Sequence, residues 1–209
     1  MGRKKSVLLS IAYLPPVSWF SLLLKYPVQI EQHETYQRQS YRNRCLIYSE
    51  CGILPLSIPV SRPNGNHTVI SNVVIYNDEQ WYLKHWRSLQ SAYEASPYFL
   101  YYKDEFLDFY TGSFANLFDY DKQLVLKLCE LLEIQPQLSY TEEFEREPAN
   151  TYDLRNLFSP KRPVSTPFPE YIQVFSSRHG FLPDLSILDL LFNLGPESKS
   201  YLSKINLGL

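Results

Sequence analysis

The feature that most constrains the fold is a strand, helix and strand pattern within the first 31 residues. An apolar run at residues 7–11 is typical of a buried strand, and the pair Pro15-Pro16 then favours the start of a helix. Apolar residues recur at helical spacing over 17–24, and Val28–Glu31 has the character of a second strand. Two strands joined through a helix run parallel in one sheet. The sequence therefore predicts an N-terminal βαβ-like unit and an α/β fold.

A hairpin is predicted next. Residues 44–50 and 53–60 are two strand-like runs around Cys51-Gly52, and residues 69–76 predict a further strand. Because antiparallel pairs would then accompany the parallel pair, the sequence predicts a single domain with a mixed sheet.

Beyond residue 78 the apolar spacing becomes helical, which predicts a mainly helical C-terminal half. A first helix would bury one face of large side chains, and residues 98–110 predict a second, aromatic helix. The face of the first helix consists of Tyr82, Trp86, Leu89 and Tyr93.

Two more helices are predicted from apolar stripes. The third carries its stripe over residues 124–132, with Asp121 as a candidate N-cap. The last covers about 185–193, with Asp184 or Ser186 as its cap.

Residues 148–169 carry five prolines among polar side chains and predict a long loop or arm. We expect this segment to contribute no core and to lie over a pocket as a lid, with Phe158 and Phe168 exposed.

Composition narrows the functional classes. A length of 209 residues with 44% hydrophobic residues suits one domain over 1–209, and a net charge of -2 gives no field that would attract nucleic acid. The odd set Cys45, Cys51 and Cys129 has no C-x-x-C spacing, which favours a reducing cytoplasm over a disulfide framework or a zinc site. No apolar run has the length of a membrane span.

The candidate site is the polar stretch at residues 29–48, which lies between apolar strand-like runs. Its carboxylates and imidazole could exchange protons, since Glu31 and His33 share one face of a strand and Glu34 follows them. Three donors, Arg42, Asn43 and Arg44, could hold an anion, or the arginines could pair with the nearby glutamates. The aromatic walls of this pocket would be Tyr13, Trp19, Tyr36 and Tyr41.

The other histidines, His67, His85 and His179, also stand in polar surroundings and are candidate substrate-binding residues. A metal held by His33, His67 and Glu31 is conceivable, but no established ligand spacing is present, and we predict no metal site.

Four ordered blocks carry a family resemblance. These are Ala12-Tyr13-Leu14-Pro15-Pro16, the run EQHETYQRQSYRNRC at 31–45, Lys84-His85-Trp86-Arg87, and RHGFLPDLSILDLLFNLGPES at 178–198. Together they resemble the WbqC-like protein family. Where broader members carry an aspartate after the second strand, this chain has Gln32-His33, so Glu31 or Glu34 would have to replace it.

The resemblance implies a bacterial cytoplasmic protein of poorly defined function, often associated with surface-polysaccharide or unusual-sugar assembly. The expected role is an enzyme, a group transferase that modifies a sugar or sugar-linked precursor, with His33 as base, Glu31 or Glu34 as its orienter, and Arg42 and Arg44 as anion anchors. The alternative is a non-catalytic carbohydrate- or partner-binding protein of the same pathway. The expected partner is a small-molecule or nucleotide-sugar-like substrate. A homodimer is possible, and the sequence indicates no particular cofactor.

Overall fold

The computed structural model describes residues 5–209, and at its centre is a four-stranded parallel sheet. The strand order is β7-β2-β1-β8. The strands are β1 (Ser6–Ser10), β2 (Val28–Glu31), β7 (Leu138–Tyr140) and β8 (Thr151–Asp153). Helix α1 (Val17–Lys25) connects β1 to β2, whose pairing is parallel. The predicted βαβ-like unit and the α/β class are therefore confirmed.

The two faces of this sheet differ in chemistry. Val7 and Leu9 of β1 and Val28 and Ile30 of β2 are buried in the main core. Because side chains alternate along a strand, the residues between and after them project from the opposite face, which is more polar. Glu31 at the end of β2 belongs to that polar face.

Antiparallel pairing occurs in two separate small sheets rather than in the parallel one. The first is the predicted hairpin of β3 (Arg44–Ser49) and β4 (Gly52–Ser57), and the second joins β5 (Val60–Ser61) to β6 (Val74–Ile75). The single strand expected over residues 69–76 is wrong, since a 3-10 helix (Ile70–Asn72) precedes the short β6.

The remaining chain is mainly helical, as predicted. Helix α6 is the central helix, because every residue from Ile187 to Asn193 is buried, and Ser186 caps it as predicted. Gly195 ends it in a left-handed conformation at φ 52°. The helices are α2 (Trp81–Tyr93), α3 (Phe99–Tyr102), α4 (Leu117–Leu131), α5 (Ser176–His179), α6 (Ile187–Leu194) and α7 (Ser198–Lys204).

Three helical predictions need correction. The aromatic helix expected over 98–110 is the one-turn α3 followed by a 3-10 helix (Lys103–Tyr110), since Phe99 and Phe106 both pack on Phe192 of α6. The N-cap of α4 is Asn116, whose side chain accepts from the Asp119 N–H, and Asp121 lies inside the helix.

The buried face of α2 is also displaced from the predicted one. Trp81 and His85 are buried, whereas Tyr82 and Trp86 are half-buried. A face shifted by one residue changes which polar side chain enters the core, and here that side chain is His85.

The prediction that residues 148–169 contribute nothing to the core is wrong. This segment contains β8, and four of its large side chains are half-buried against the main core. Three residues of strand are too few to show a pattern, and the partner β1 lies about 145 residues away in the chain. The four side chains are Tyr152, Leu154, Phe158 and Phe168.

Candidate functional site

All four strands of the parallel sheet end at one edge, which brings distant segments together. Ser10 pairs in register with Glu31, and β7 and β8 run in the same direction on either side. In open α/β sheets, ligands bind outside this carboxyl edge. Polar side chains collect there in what we call the carboxyl-edge cluster: Ser10, Glu31, Glu34, Arg42, Thr141, Asp153 and Arg155.

Glu31 is the centre of this cluster and is 0% exposed. One carboxylate oxygen, Oε1, accepts from the Thr141 hydroxyl and from the His33 main-chain N–H, each at 2.8 Å. The other, Oε2, accepts from Arg155 Nη1 at 3.0 Å. A buried carboxylate needs such partners to remain charged, and here three parts of the chain supply them.

A second buried ion pair joins Glu34 to Arg42. The guanidinium Nε and Nη2 donate to the two carboxylate oxygens at 2.8 and 2.5 Å, and the side chains are 6% and 4% exposed. The same Nη2 donates to Ser10 Oγ at 2.7 Å, and that hydroxyl donates to the Arg155 carbonyl. Ser10 therefore connects the two ion pairs in one network.

Arg155 links the cluster to the proline-rich segment at residues 148–169. Its Nε and Nη2 donate to the Asp153 carboxylate at 2.9 and 2.6 Å, and its guanidinium lies 4.9 Å from the Phe144 ring centroid. Burial alone would raise the pKa of Asp153, but the hydrogen bonds from Arg155 outweigh it and hold the pKa below its usual range. The same bonds raise the pKa of Arg155.

His33 stands at the edge of the cluster, half-buried. Its ring Nε2 lies 3.2 Å from the Thr141 carbonyl oxygen. A carbonyl can only accept, so this contact fixes the tautomer with a proton on Nε2. Nδ1 is then the proton-accepting nitrogen. Glu31 contacts the main chain of His33, not its imidazole, so Thr141 orients the ring.

A cleft of about 450 Å³ opens on the polar face of the sheet beside this cluster. Glu31 and Thr141 are part of its wall, and the loop after β7 adds Glu142, Glu143 and Glu145. Within residues 5–209, no lysine or arginine lines it. Its volume suits a ligand the size of a sugar, and its wall combines carboxylates with hydroxyl and amide groups.

The RNR triplet separates in the structure. Arg42 points into the cluster, whereas Asn43 donates to the Ile58 carbonyl at 2.8 Å and Arg44 donates to Ser57 Oγ at 2.8 Å. Asn43 and Arg44 thus tie β3 to its hairpin partner. Arg42 has its guanidinium bound to Glu34, so the triplet does not present two guanidinium groups to one anion.

The aromatic candidates also separate. Trp19 donates from Nε1 to the Ser10 carbonyl at 3.1 Å, and Tyr41 lies with it near Arg42 at the carboxyl edge. Tyr36 is buried, and burial raises its pKa to about 12. Tyr13 lies in the core against α2.

The other histidines lie away from the cleft. His85 is buried, with Nδ1 2.9 Å from the Tyr13 hydroxyl, and burial lowers its pKa to about 4. His67 is exposed in a 3-10 helix (Gly65–His67). His179 is exposed, and its Nε2 lies 2.8 Å from the Glu50 carbonyl oxygen.

Thr141, Asp153 and Arg155 were not among the predicted site residues. Arg155 and Glu31 are 124 residues apart in the sequence, so no local sequence pattern predicts their contact. Once burial is known, a count of charges points to the missing cation. The 29–48 stretch buries two glutamates but only one cation, Arg42, so a second cation must come from another part of the chain.

Over the described chain, no three His, Cys, Asp or Glu side chains are grouped so that they could hold a metal ion. None of the helices within residues 5–209 combines the length and apolarity that crossing a membrane requires.

The fold and this edge define a class of protein, an α/β domain that gathers buried ion pairs at the carboxyl ends of a short parallel sheet. Residues 12–159 match the model of the WbqC-like protein family, and the chain belongs to that family. The matched residues include Glu31, Glu34, Arg42 and Arg155.

The chain is similar to "Uncharacterized protein Rv1507c" of Mycobacterium tuberculosis. The two are 26% identical over 229 aligned positions, which cover 95% of this chain and 97% of that protein. No solved structure matches the chain.

Proposed function

We propose that this protein is an enzyme, a group transferase that modifies a sugar or sugar-linked precursor in the cleft at the carboxyl edge. The observation that carries the proposal is His33, whose Nε2 is held by the Thr141 carbonyl while Nδ1 remains a proton acceptor. Thr141 lines the cleft and His33 does not, so in this proposal the imidazole reaches the ligand past Thr141. A general base needs that placement.

The role of His33 in this proposal is to remove a proton from a substrate hydroxyl or amine as that oxygen or nitrogen bonds to the transferred group. The bond between this group and its donor breaks at the same time, and the rest of the donor leaves with the electron pair. Glu31 acts as a positioning residue, because it fixes the His33 main chain and the Thr141 hydroxyl at once. Arg155 holds the Glu31 carboxylate in place by donating to its second oxygen.

The cleft wall favours one part of the substrate. Three glutamates on the loop after β7 accept hydrogen bonds from hydroxyl or ammonium groups and oppose phosphate. In this proposal the sugar lies against that wall, and any nucleotide diphosphate attached to it extends away. The three unpaired cysteines support the proposed cytoplasmic location.

The second candidate is a non-catalytic carbohydrate- or partner-binding protein. The observation that favours it is the internal pairing of both buried glutamates with arginines, because such carboxylates stabilise a loop without meeting a ligand. In this role the cleft would hold a sugar by hydrogen bonds without removing a proton from it.

The test is complementation of a deletion strain, with the accumulated sugar intermediate identified by mass spectrometry. We expect His33→Gln to leave the intermediate unconsumed, while its melting temperature stays within a few degrees of the native value because His33 is half-buried. The matched control is His67→Gln, which changes an exposed histidine outside the cleft and should complement fully. Full complementation by His33→Gln would reject the base and favour the binding role.

A further inference from the structure

A second cavity, of about 500 Å³, lies in the helical half of the molecule. It is formed by the start of α3, the end of α4 and the turn between α6 and α7. It shares no lining residue with the cleft at the carboxyl edge. What it binds is therefore a question separate from the proposed function.

Tyrosine rings dominate one wall of this cavity, which is lined by Tyr98, Tyr101 and Tyr102. The rings of Tyr101 and Tyr102 stand at 84° with centroids 4.7 Å apart, so they present surfaces at right angles. Tyr101 is 77% exposed. The π face of a phenol carries negative potential, and several such faces around one space attract a cation.

Tyr98 is held in place by the backbone opposite. Its N–H donates to the Phe192 carbonyl, and its ring lies so close to Gly195 that a Cβ there would be 2.5 Å from Tyr98 Cδ1. A glycine is required at this contact, both for the space and for the positive φ. The Tyr98 part of the aromatic wall is thus fixed by its packing.

Three carboxylates also line this cavity, those of Glu105, Glu130 and Glu133. Glu105 and Glu130 share the ammonium group of Lys127, at 3.2 and 3.0 Å. Lys199 donates to the main-chain carbonyl of Glu133, whose own carboxylate has no hydrogen bond or ion pair within residues 5–209. Three carboxylates against two ammonium groups leave this cavity with a negative charge.

Glu133 also stands at a costly backbone position. It follows the end of α4 at φ 53°, the left-handed conformation that favours glycine after a helix. A glutamate at this position gives up backbone stability and places its carboxylate at the mouth of the cavity.

We propose that this cavity binds a small organic ammonium ion, in which alkylated nitrogen lies against the tyrosine faces and Glu133 supplies the nearest free negative charge. The tyrosine faces and the Glu133 carboxylate both attract positive charge. A neutral ligand of the same shape would gain contact with the rings but no attraction from the quadrupoles or the carboxylate.

The experiment compares choline with its uncharged carbon isostere, dimethylbutanol, by saturation-transfer NMR on the intact protein. We expect choline to bind at least fivefold more tightly than the isostere. Tyr101→Leu should weaken choline at least fivefold, and because Tyr101 is exposed the variant should fold normally. The matched control is Tyr76→Leu, at a tyrosine 46% exposed elsewhere, which should leave choline binding unchanged.

Glu133→Gly separates binding from folding. Glycine relieves the backbone at φ 53°, so the melting temperature should not fall, while choline binding should weaken at least threefold. Equal binding of choline and dimethylbutanol would overturn the proposal in favour of a merely apolar cavity. Binding of methyl glucoside without choline would overturn it in favour of a sugar site.

Discussion

Two regions of this molecule bury polar side chains, and they neutralise them in opposite ways. At the carboxyl edge the charges are kept and paired, as Glu31 with Arg155 and Glu34 with Arg42. Beneath α2 the polar groups carry no charge. There Tyr13 meets His85 and Tyr110 by its hydroxyl, and burial lowers the pKa of His85 to about 4.

The same contrast extends to Asp121 on α4. Both of its carboxylate oxygens are buried and have no hydrogen-bond partner in the described part of the chain. Burial raises the pKa of Asp121 well above its usual range, since a buried carboxyl group without a partner disfavours its charged form.

The two regions are therefore sensitive to different changes. A paired buried charge depends on its partner, whereas a group neutralised by burial depends on pH. The carboxyl edge is therefore sensitive to the loss of a single partner, as Glu34 is to the loss of Arg42. The region beneath α2 serves the core, where the Tyr13 hydroxyl meets His85 and Tyr110.

The largest effect is expected for Arg42→Met. Removing the guanidinium leaves Glu34 buried without its partner, which should lower the free energy of unfolding by about 3–5 kcal/mol in urea titrations. The double variant with Glu34→Leu should recover most of this loss, since no buried charge then remains unpaired.

Arg178→Met is the matched control for this prediction. The Arg178 to Glu50 pair joins side chains that are 57% and 67% exposed, so its loss should cost about 0–1 kcal/mol. If Arg42→Met were no more harmful than Arg178→Met, the carboxyl-edge pairs would not stabilise the fold as we argue.

A smaller effect is expected from pH at His85. The pKa of His85 in the folded chain is about 4, below the ordinary value of 6.5. As pH falls, His85 is therefore protonated in the unfolded chain before it is protonated in the folded chain, which favours unfolding. Between about pH 7.5 and pH 5 this should remove about 2 kcal/mol from the free energy of unfolding.

Asp184 and Asp189 oppose that change. Burial raises their pKa values to about 7 and about 6, so their contribution to stability is present at low pH and is lost as pH rises through those values. The measurement is therefore the native chain against His85→Gln, by urea titration at both pH values. The advantage of the native chain should shrink by about 2 kcal/mol at the lower pH, and an advantage independent of pH would contradict a neutral His85.

Sequence reasoning succeeded where the signal is local. The first two strands, the helix between them and the β3 to β4 hairpin follow from apolar runs, Pro15-Pro16 and Cys51-Gly52. The Ser186 cap of α6 likewise needs only neighbouring residues. In each case the residues that decide the structure lie within one turn or one strand of each other.

It failed where distant segments decide the structure. β7 and β8 have three residues each and become strands only by pairing with β2 and β1. Three of the seven residues of the carboxyl-edge cluster lie on or just after them. Within the polar 29–48 stretch Glu34 and Arg42 do pair, but Thr141 and Arg155, the partners of Glu31, could not be found without the sheet order.

The smallest effect is expected for Asp153→Asn, which tests whether pairing matters at the exposed side of the cluster. The Asp153 side chain is 33% exposed, and Arg155 would still have Glu31, so we expect a loss of about 1 kcal/mol or less at neutral pH. Because its pKa lies below the usual range, Asp153 stabilises the fold above the ordinary carboxyl pKa and stops doing so as pH falls through its folded pKa. Urea titrations of both proteins should therefore converge in acid. A loss as large as that of Arg42→Met would mean that Asp153, not Glu31, is the main partner of Arg155, and the contrast between the inner and outer parts of the edge would have to be redrawn.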